Sequence, residues 1–229
     1  MWYFSKVQIK GDLDLNRLAG AIPANAYAEH QAVWRLLGVD DEQPRDFLFR
    51  REEQAHRPTF YLLAPREPVD TSGLWSIQTK PYRPQLSEGQ RLAFSLRANP
   101  TRTRKASDDP DDKRRYRDDV VMQAKRAEAE QQPDPARRAS QAELVQRVGP
   151  KWLADRSERC GFALEELLVD GYFQHRIYKR GNKEPIRISS LDYQGVLRIT
   201  DLAAFEKALF QGIGPAKGFG CGMLLIRRA

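Results

Sequence analysis

Histidine and cysteine are scarce in this chain of 229 residues, which has three histidines and two cysteines. His30, His56 and His175 have no cysteine or carboxylate neighbours at metal-ligand spacing, so the sequence predicts no zinc site. Cys160 and Cys221 stand apart without a CxxC pair, which is typical of a protein in a reducing compartment. We therefore expect chemistry that needs neither a metal nor a cofactor.

Long hydrophobic runs are also missing. No apolar stretch approaches the roughly 20 residues that span a bilayer, and the opening MWYFSKVQIK lacks the regions of a signal peptide. These absences predict a cytoplasmic protein that makes no use of a membrane. Hydrophobic residues still form 41% of the chain, which is enough for a core, and the net charge of +7 favours a polyanionic partner.

Strands and helices follow the same predicted order in the two halves of the chain. In the first half, strands are predicted at 2–10, 45–50, 59–63 and 75–82, with helices at 24–38 and 69–74 and a turn at Pro58. In the second half, strands are predicted at 91–97, 172–178, 186–199 (bent near 189–192) and 223–226, with helices at 141–160 and from 202. Both halves read βαββαβ, which predicts an α+β protein of two tandem ferredoxin-like (RRM-like) domains, 1–88 and 89–229.

Residues 101–140 fall outside this pattern, because they contain few large apolar side chains. Nine lysines and arginines and six aspartates lie between 102 and 126. We interpret the segment as a basic insertion in the second domain, partly disordered or a frayed helix by itself. An insertion of this kind is suited to gripping phosphates, and a solvated run of charges is the alternative.

Glycine is concentrated in the segment 212–222, which holds five glycines and one cation, Lys217. Glycine lets backbone amides approach a ligand closely, and successive exposed amides bind anions. The order helix, loop, strand differs from that of the Walker A and GxGxxG fingerprints. The residues alone leave two interpretations open, an anion-binding loop and a mobile connection from helix to strand.

The first predicted helix carries the best candidate for proton transfer. Tyr27, His30 and Trp34 occupy one of its faces, at positions i, i+3 and i+7. Imidazole titrates near neutrality, and a phenol one turn away can donate to the same substrate atom, which suits catalysis without a metal. The alternative is a histidine that packs at the edge of the core.

Several separate stretches together resemble one family. The segments MWYFSKVQI, AYAEHQAVW, RDFLFR, LRANPTRTRK and GIGPAKGFGCGMLLI follow one another as in the CasE endoribonucleases of the type I-E CRISPR Cascade system. The resemblance covers nearly the whole chain and implies two ferredoxin-like domains. It also implies metal-independent cleavage of CRISPR repeat RNA at the 3′ base of its hairpin, leaving 2′,3′-cyclic phosphate and 5′-hydroxyl ends.

The resemblance places catalysis at His30 and Tyr27. The 2′-hydroxyl of the RNA would attack the adjacent phosphorus while His30 moves a proton, as base or as acid, and Tyr27 holds the geometry. Some relatives have lysine and serine later in this helix, where Arg35 and Gly38 stand here. Arg35 still supplies positive charge, whereas Gly38 offers no hydroxyl.

The RNA backbone is expected to lie against the glycine-rich loop and against cations on several elements. The expected RNA-binding residues are Arg35, Arg97, Arg102, Arg104, Lys105, Arg176, Lys179, Arg180, Gly214, Lys217, Gly218 and Gly220. After cleavage the protein is expected to stay on the hairpin of the mature crRNA as a Cascade subunit, chiefly in contact with the backbone subunit. The alternative function is a non-catalytic RNA-binding subunit of a ribonucleoprotein, in which His30 only packs.

Overall fold

The computed structural model describes residues 1–12, 26–38, 45–54, 57–105, 115–178 and 184–229. These residues contain ten strands and four α-helices. The strands form two four-stranded sheets and one two-stranded sheet. No helix among them is both long and apolar enough to cross a membrane.

The N-terminal half forms an antiparallel sheet with one helix against its inner face. Its elements are β1 (Tyr3–Ile9), α1 (Ala26–Leu36), β2 (Leu48–Gln54), β3 (Arg57–Ala64) and β4 (Trp75–Pro81), in the strand order β2-β3-β1-β4. Alternation along β1 turns Ser5, Val7 and Ile9 into the interior. Val33 and Trp34 of α1 cover that face, so this helix is positioned by the core beneath it.

The helix predicted at 69–74 is absent, although the structure describes all of these residues. The Asp70 carboxylate instead accepts hydrogen bonds from the amides of Ser72, Gly73 and Trp75, at 2.8–3.1 Å. An aspartate that bonds amides a few residues later stabilises a turn in competition with a helix. The first half is therefore βαβββ, and the prediction of a second helix in it is wrong.

Replacing Asp70 with alanine is expected to lower the free energy of unfolding at pH 7 by about 1 kcal/mol, since three amides lose a partly exposed charged acceptor. Burial favours a higher pKa for Asp70, but hydrogen bonds from Ser72 and from the Trp75 and Gly73 amides outweigh it and lower the pKa. A lowered folded-state pKa gives stability above the unfolded-state pKa, and this stability is lost as the pH falls.

The difference between wild type and Asp70→Ala is therefore expected to shrink below about pH 4. Urea titrations at neutral and acidic pH measure it, with Glu67→Ala as the control, because Glu67 is an exposed carboxylate of the same segment. A difference that is equal at both pH values would contradict this account of the turn.

Pro58 also differs from the prediction, because it lies inside β3 opposite Glu53 of β2 instead of in a turn. The pairing of β3 with β1 begins only at Thr59. Proline lacks an amide proton, and it is tolerated here because β3 has a neighbour on only one side at this position.

The C-terminal half contains the second four-stranded antiparallel sheet. Its elements are β5 (Arg91–Ala98), β6 (Thr101–Lys105), β7 (Arg115–Asp119), α2 (Val120–Gln131), α3 (Gln141–Ser157), β8 (Phe162–Ile177), β9 (Ile186–Ile199), α4 (Leu202–Gln211) and β10 (Leu224–Arg228). The order is β10-β5-β9-β8, so the first and third strands are central, as in the N-terminal sheet. Two sheets of this order confirm the predicted α+β class with ferredoxin-like topology.

The described part of 101–140 is more regular than the sequence predicted. Strands β6 and β7 pair as an antiparallel hairpin. Helix α2 begins at Asp119, whose carboxylate accepts from the amides of Val121 and Met122, and Val120 and Val121 are buried. These two valines anchor the helix to the core. They were not recognised from the sequence as core residues, because charged residues precede and follow them.

Strand β8 is longer than predicted and begins at Phe162. Its register against β9 shifts between Asp170 and Phe173, whereas β9 runs without a break, so the irregularity expected near 189–192 lies on the partner strand. The residues 162–171 were missed because β8 is an edge strand and several of its side chains are exposed.

The two halves pack against each other through a small apolar cluster. Leu48 and Leu63 of the N-terminal sheet meet Met223, which immediately precedes β10. The rings of Trp2 and Phe210 add to this cluster, with centroids 5.1 Å apart. This packing brings the segment between α4 and β10 against the N-terminal half.

Candidate active site

The backbone of the glycine-rich loop takes positive φ angles, which residues other than glycine rarely adopt. Positive φ angles, from 57° to 89°, occur at Gly212, Gly214, Ala216, Gly220 and Gly222. The amides of three of these glycines donate to carbonyls of the protein itself, at 2.7–3.3 Å. The loop is thus a hydrogen-bonded structure, which argues against the interpretation as a mobile connection.

Close packing is the second use of these glycines. A Cβ at Gly220 would lie 3.3 Å from the Phe49 ring, and one at Gly214 would lie 3.1 Å from the Trp152 ring. The amide of Gly220 already donates to the carbonyl of Lys217, at 3.3 Å. The expected RNA contacts of Gly214 and Gly220 stay predictions, and the packing explains independently why these positions are glycine.

His30 contacts the loop directly. Its Nδ1 lies 2.6 Å from the carbonyl oxygen of Gly218, and a bond of this length needs a proton on Nδ1 because a carbonyl only accepts. The indole Nε1 of Trp34 lies 3.0 Å from the same nitrogen and can only donate. Nδ1 therefore bonds Gly218 when protonated and Trp34 when deprotonated, and in the first state proton exchange with a substrate falls to Nε2.

Three aromatic rings fix the plane of the imidazole. The ring of Tyr27 is nearly parallel to that of His30 with centroids 6.1 Å apart, Trp34 lies at 5.0 Å, and Phe219 lies at 5.5 Å. Trp34 is itself held edge-on by Phe47 at 5.3 Å. The predicted pair of tyrosine and histidine thus lies where α1 meets the loop, with the imidazole half-buried.

Ion pairs support the helix from the neighbouring strands. Glu29, next to His30, bonds Arg51 of β2 at 2.8 Å, and burial raises the pKa of Glu29 against the opposing effect of Arg51. Arg97 binds both carboxylate oxygens of Asp192 at 2.8 Å and donates to the Arg51 carbonyl at 3.1 Å. Arg97 therefore ties the two sheets together, and its expected contact with RNA stays a prediction.

Lys217, which precedes Gly218 in the chain, lies close to a second cation, Arg45. Burial lowers the pKa of the half-buried Lys217, and the nearby charge of Arg45 lowers it further. Arg45 lies over the Phe47 ring, at 5.9 Å from its centroid, and burial lowers its pKa as well. Each cation raises the free energy of the other, so an anion that binds beside both of them relieves this repulsion.

The remaining expected RNA contacts are spread over other elements. Arg35 is exposed on α1 and donates to the Gln31 carbonyl at 3.3 Å. On β6, the exposed Arg102 pairs with Asp155 at 3.6 Å, while Arg104 bonds Asp118 and lies over the Tyr116 ring. Arg176 is exposed on β8. The Lys105 side chain and residues Lys179 and Arg180 lie outside the described part of the chain.

The structure thus joins some expected site residues and separates others. Tyr27, His30 and Gly218 meet, and Lys217 is the chain neighbour of Gly218, whereas the cations of β6 and β8 belong to other elements. The sequence reasoning missed Phe219 and Arg45, which complete the surroundings of the imidazole and of Lys217. No local pattern marks these residues, because their contacts join distant parts of the chain.

The other two histidines of the chain are His175 and His56, and only His175 lies among the described residues. His175 bonds the Ser190 hydroxyl at 2.9 Å, and burial lowers its pKa. His56 lies outside the described residues. Within those residues, no three histidine, cysteine, aspartate or glutamate side chains are grouped so as to hold a metal ion.

Known proteins resemble the chain over nearly its full length. A family model described as CRISPR associated protein matches residues 2–228. The chain is similar to the CRISPR system Cascade subunit CasE of Escherichia coli (strain K12), with 30% identity over 213 residues, 90% of this chain and 94% of the relative. It is also similar to the CRISPR-associated endoribonuclease Cse3 of Thermus thermophilus, with 26% identity over 220 residues, 89% of this chain and 90% of the relative.

Solved structures share the fold. The crystal structure of Cas6e from Escherichia coli K-12 matches with a TM-score of 0.63 and 26% identity, over 99% of this chain and 100% of the other. Thermus thermophilus Cse3 bound to an RNA representing a pre-cleavage complex matches with a TM-score of 0.67 and 22% identity, over 99% and 98%.

Proposed function

The chain belongs to the CasE family of CRISPR-associated proteins, and from this premise we propose that it is a metal-independent endoribonuclease. Its substrate is CRISPR repeat RNA, which it cleaves at the 3′ base of the repeat hairpin. The names of its relatives support both parts of its role, since one is a Cascade subunit and the other an endoribonuclease.

One observation carries the assignment of the active site, the contact of His30 Nδ1 with the Gly218 carbonyl at 2.6 Å. When Nδ1 carries the proton and makes this bond, Nε2 is the nitrogen of the neutral ring that accepts a proton. When Nε2 has taken up a proton, the carbonyl still accepts from Nδ1. The same arrangement therefore serves a base and an acid.

The reaction follows from these groups. The 2′-oxygen of the RNA forms a bond to the adjacent phosphorus and the bond from phosphorus to the 5′-oxygen breaks, giving a 2′,3′-cyclic phosphate and a 5′-hydroxyl. His30 takes the proton from the 2′-hydroxyl or gives one to the leaving 5′-oxygen. Tyr27 hydrogen-bonds the reacting group and orients it, and Lys217 and Arg45 attract the charged phosphate.

The protein is proposed to keep its product. It stays on the crRNA hairpin as a Cascade subunit, in contact chiefly with the backbone subunit, as the Cascade name of its relative supports. The proposed compartment is the cytoplasm, and the two free cysteines agree with a reducing environment.

A cleavage assay in EDTA tests the function. The purified protein and the repeat hairpin of its host are expected to give one cut, with a 2′,3′-cyclic phosphate on the upstream fragment. Binding without any cut would instead favour the alternative of a non-catalytic RNA-binding subunit. A cut that requires added magnesium would contradict the metal-independent mechanism.

A further inference from the structure

A cleft of about 220 Å³ lies beside the start of the glycine-rich loop. One wall is α4, with Lys207 and Gln211, and another is the turn that holds Arg159 and Cys160. Gly214 of the loop closes the third side.

The cleft is electropositive. The described residues that line it include two cations, Arg159 and Lys207, and no carboxylate. Burial raises the pKa of the Cys160 thiol, while the charges of Arg159, Arg156 and Lys217 all oppose that rise. The electrostatic potential of three cations is therefore felt at Cys160, which lines the cleft. The carboxyl end of α4 contributes only about half a negative charge, which these full charges outweigh.

The cleft and the catalytic histidine share one loop. Gly214 lines the cleft, and Gly218 bonds His30. The four residue steps between them span at most about 14 Å even when fully extended. A nucleic acid strand held at His30 therefore reaches the cleft within a few nucleotides.

We propose that this cleft binds a phosphodiester group of single-stranded RNA that adjoins the cleaved bond. The inference rests on the proposed function. A volume of about 220 Å³ admits a phosphate with its sugar but is too small for a whole duplex to enter, and we assign the occupant to a strand that flanks the hairpin. Arginine and lysine are the side chains that bind phosphate best. An acidic segment of a protein partner has similar charge, but the loop shared with His30 favours the RNA.

The affinity of flanked and unflanked hairpins tests the proposal. The probes are repeat hairpins with a 2′-deoxy nucleotide at the cleavage site, either minimal or extended by several nucleotides upstream or downstream. For wild type, one extension is expected to raise affinity about tenfold near 0.15 M salt, as two phosphate contacts would. Arg159→Gln/Lys207→Gln is expected to lose that gain, to lower the salt slope by about 1.4, and to bind the minimal hairpin unchanged.

Arg227→Gln/Arg228→Gln is the matched control, because it removes the same charge from exposed positions at the far end of β10. This control is expected to keep the gain from the extension. The identity of the extension that gives the gain tells which flanking strand occupies the cleft.

A gain that persists in Arg159→Gln/Lys207→Gln, or the absence of any gain in wild type, would overturn the proposal. If this variant instead fails only to join its Cascade partners, the cleft binds protein and the RNA assignment is wrong. Failure of wild type to cut an unmodified minimal hairpin is a separate result, because it would refute the proposed function and not the cleft alone.

Discussion

Replacing His30 with alanine is expected to slow single-turnover cleavage of the repeat hairpin by about 10²–10⁴-fold, the usual contribution of general acid–base catalysis. The affinity for the hairpin should change little, because the imidazole handles a proton while the cations attract the phosphates. Rate constants at saturating protein, together with dissociation constants for an uncleavable hairpin, separate the two effects. A rate equal to that of wild type would remove His30 from the mechanism.

Two controls distinguish catalysis from packing at this position. Tyr27→Phe keeps the ring that lies parallel to the imidazole and removes only the hydroxyl, so it should reduce the rate less than His30→Ala does. Imidazole added to His30→Ala should restore part of the rate if proton transfer is what was lost. Thermal unfolding of each variant shows whether the surrounding rings still pack.

A 2′-deoxy substitution at the nucleotide on the 5′ side of the cleaved phosphate is expected to abolish cleavage. The attacking group belongs to the substrate, and an intramolecular nucleophile is worth an effective concentration of at least about 10⁵ M, which nothing in the protein replaces. Gel analysis under single-turnover conditions measures the loss. The modified hairpin should bind as the unmodified one does.

The control for this substitution is a 2′-deoxy nucleotide one position downstream, whose hydroxyl takes no part in the proposed reaction. That RNA should be cut at the normal rate. If the RNA without the attacking hydroxyl is also cut, an external nucleophile such as water attacks the phosphorus. The roles proposed for His30 and Tyr27 would then both be wrong.

Much of the fold could be predicted because local patterns agree with the packing. The strand at 2–10 and the helix at 141–160 were predicted, and the structure shows an alternating β1 and an α3 with Leu144, Trp152 and Leu153 buried. The last helix was predicted from residue 202, and the Asp201 carboxylate caps it by accepting from the Ala204 amide. Local reasoning failed where one side chain decides the outcome, as Asp70 does when it replaces a helix with a turn.

The candidate site was predictable only in its parts. Spacing placed Tyr27 and His30 on one face of a helix, and composition marked the glycine-rich loop. Nothing local links His30 to Gly218 and Phe219, which are more than 180 positions away in the chain. Contacts of that kind arise from the packing of one half against the other, which a single sequence without the fold does not specify.

In the proposed mechanism, the hydrogen bond between His30 and Gly218 also bears on when the protein can begin to cut RNA. The histidine is synthesised early, whereas its carbonyl partner is added 188 residues later, shortly before the last strand, β10. During synthesis the chain therefore contains the His30 imidazole long before the Gly218 carbonyl that orients it has been added. We therefore expect a chain that lacks the C-terminal segment not to cut RNA, and cutting to begin once that segment has been made and has docked.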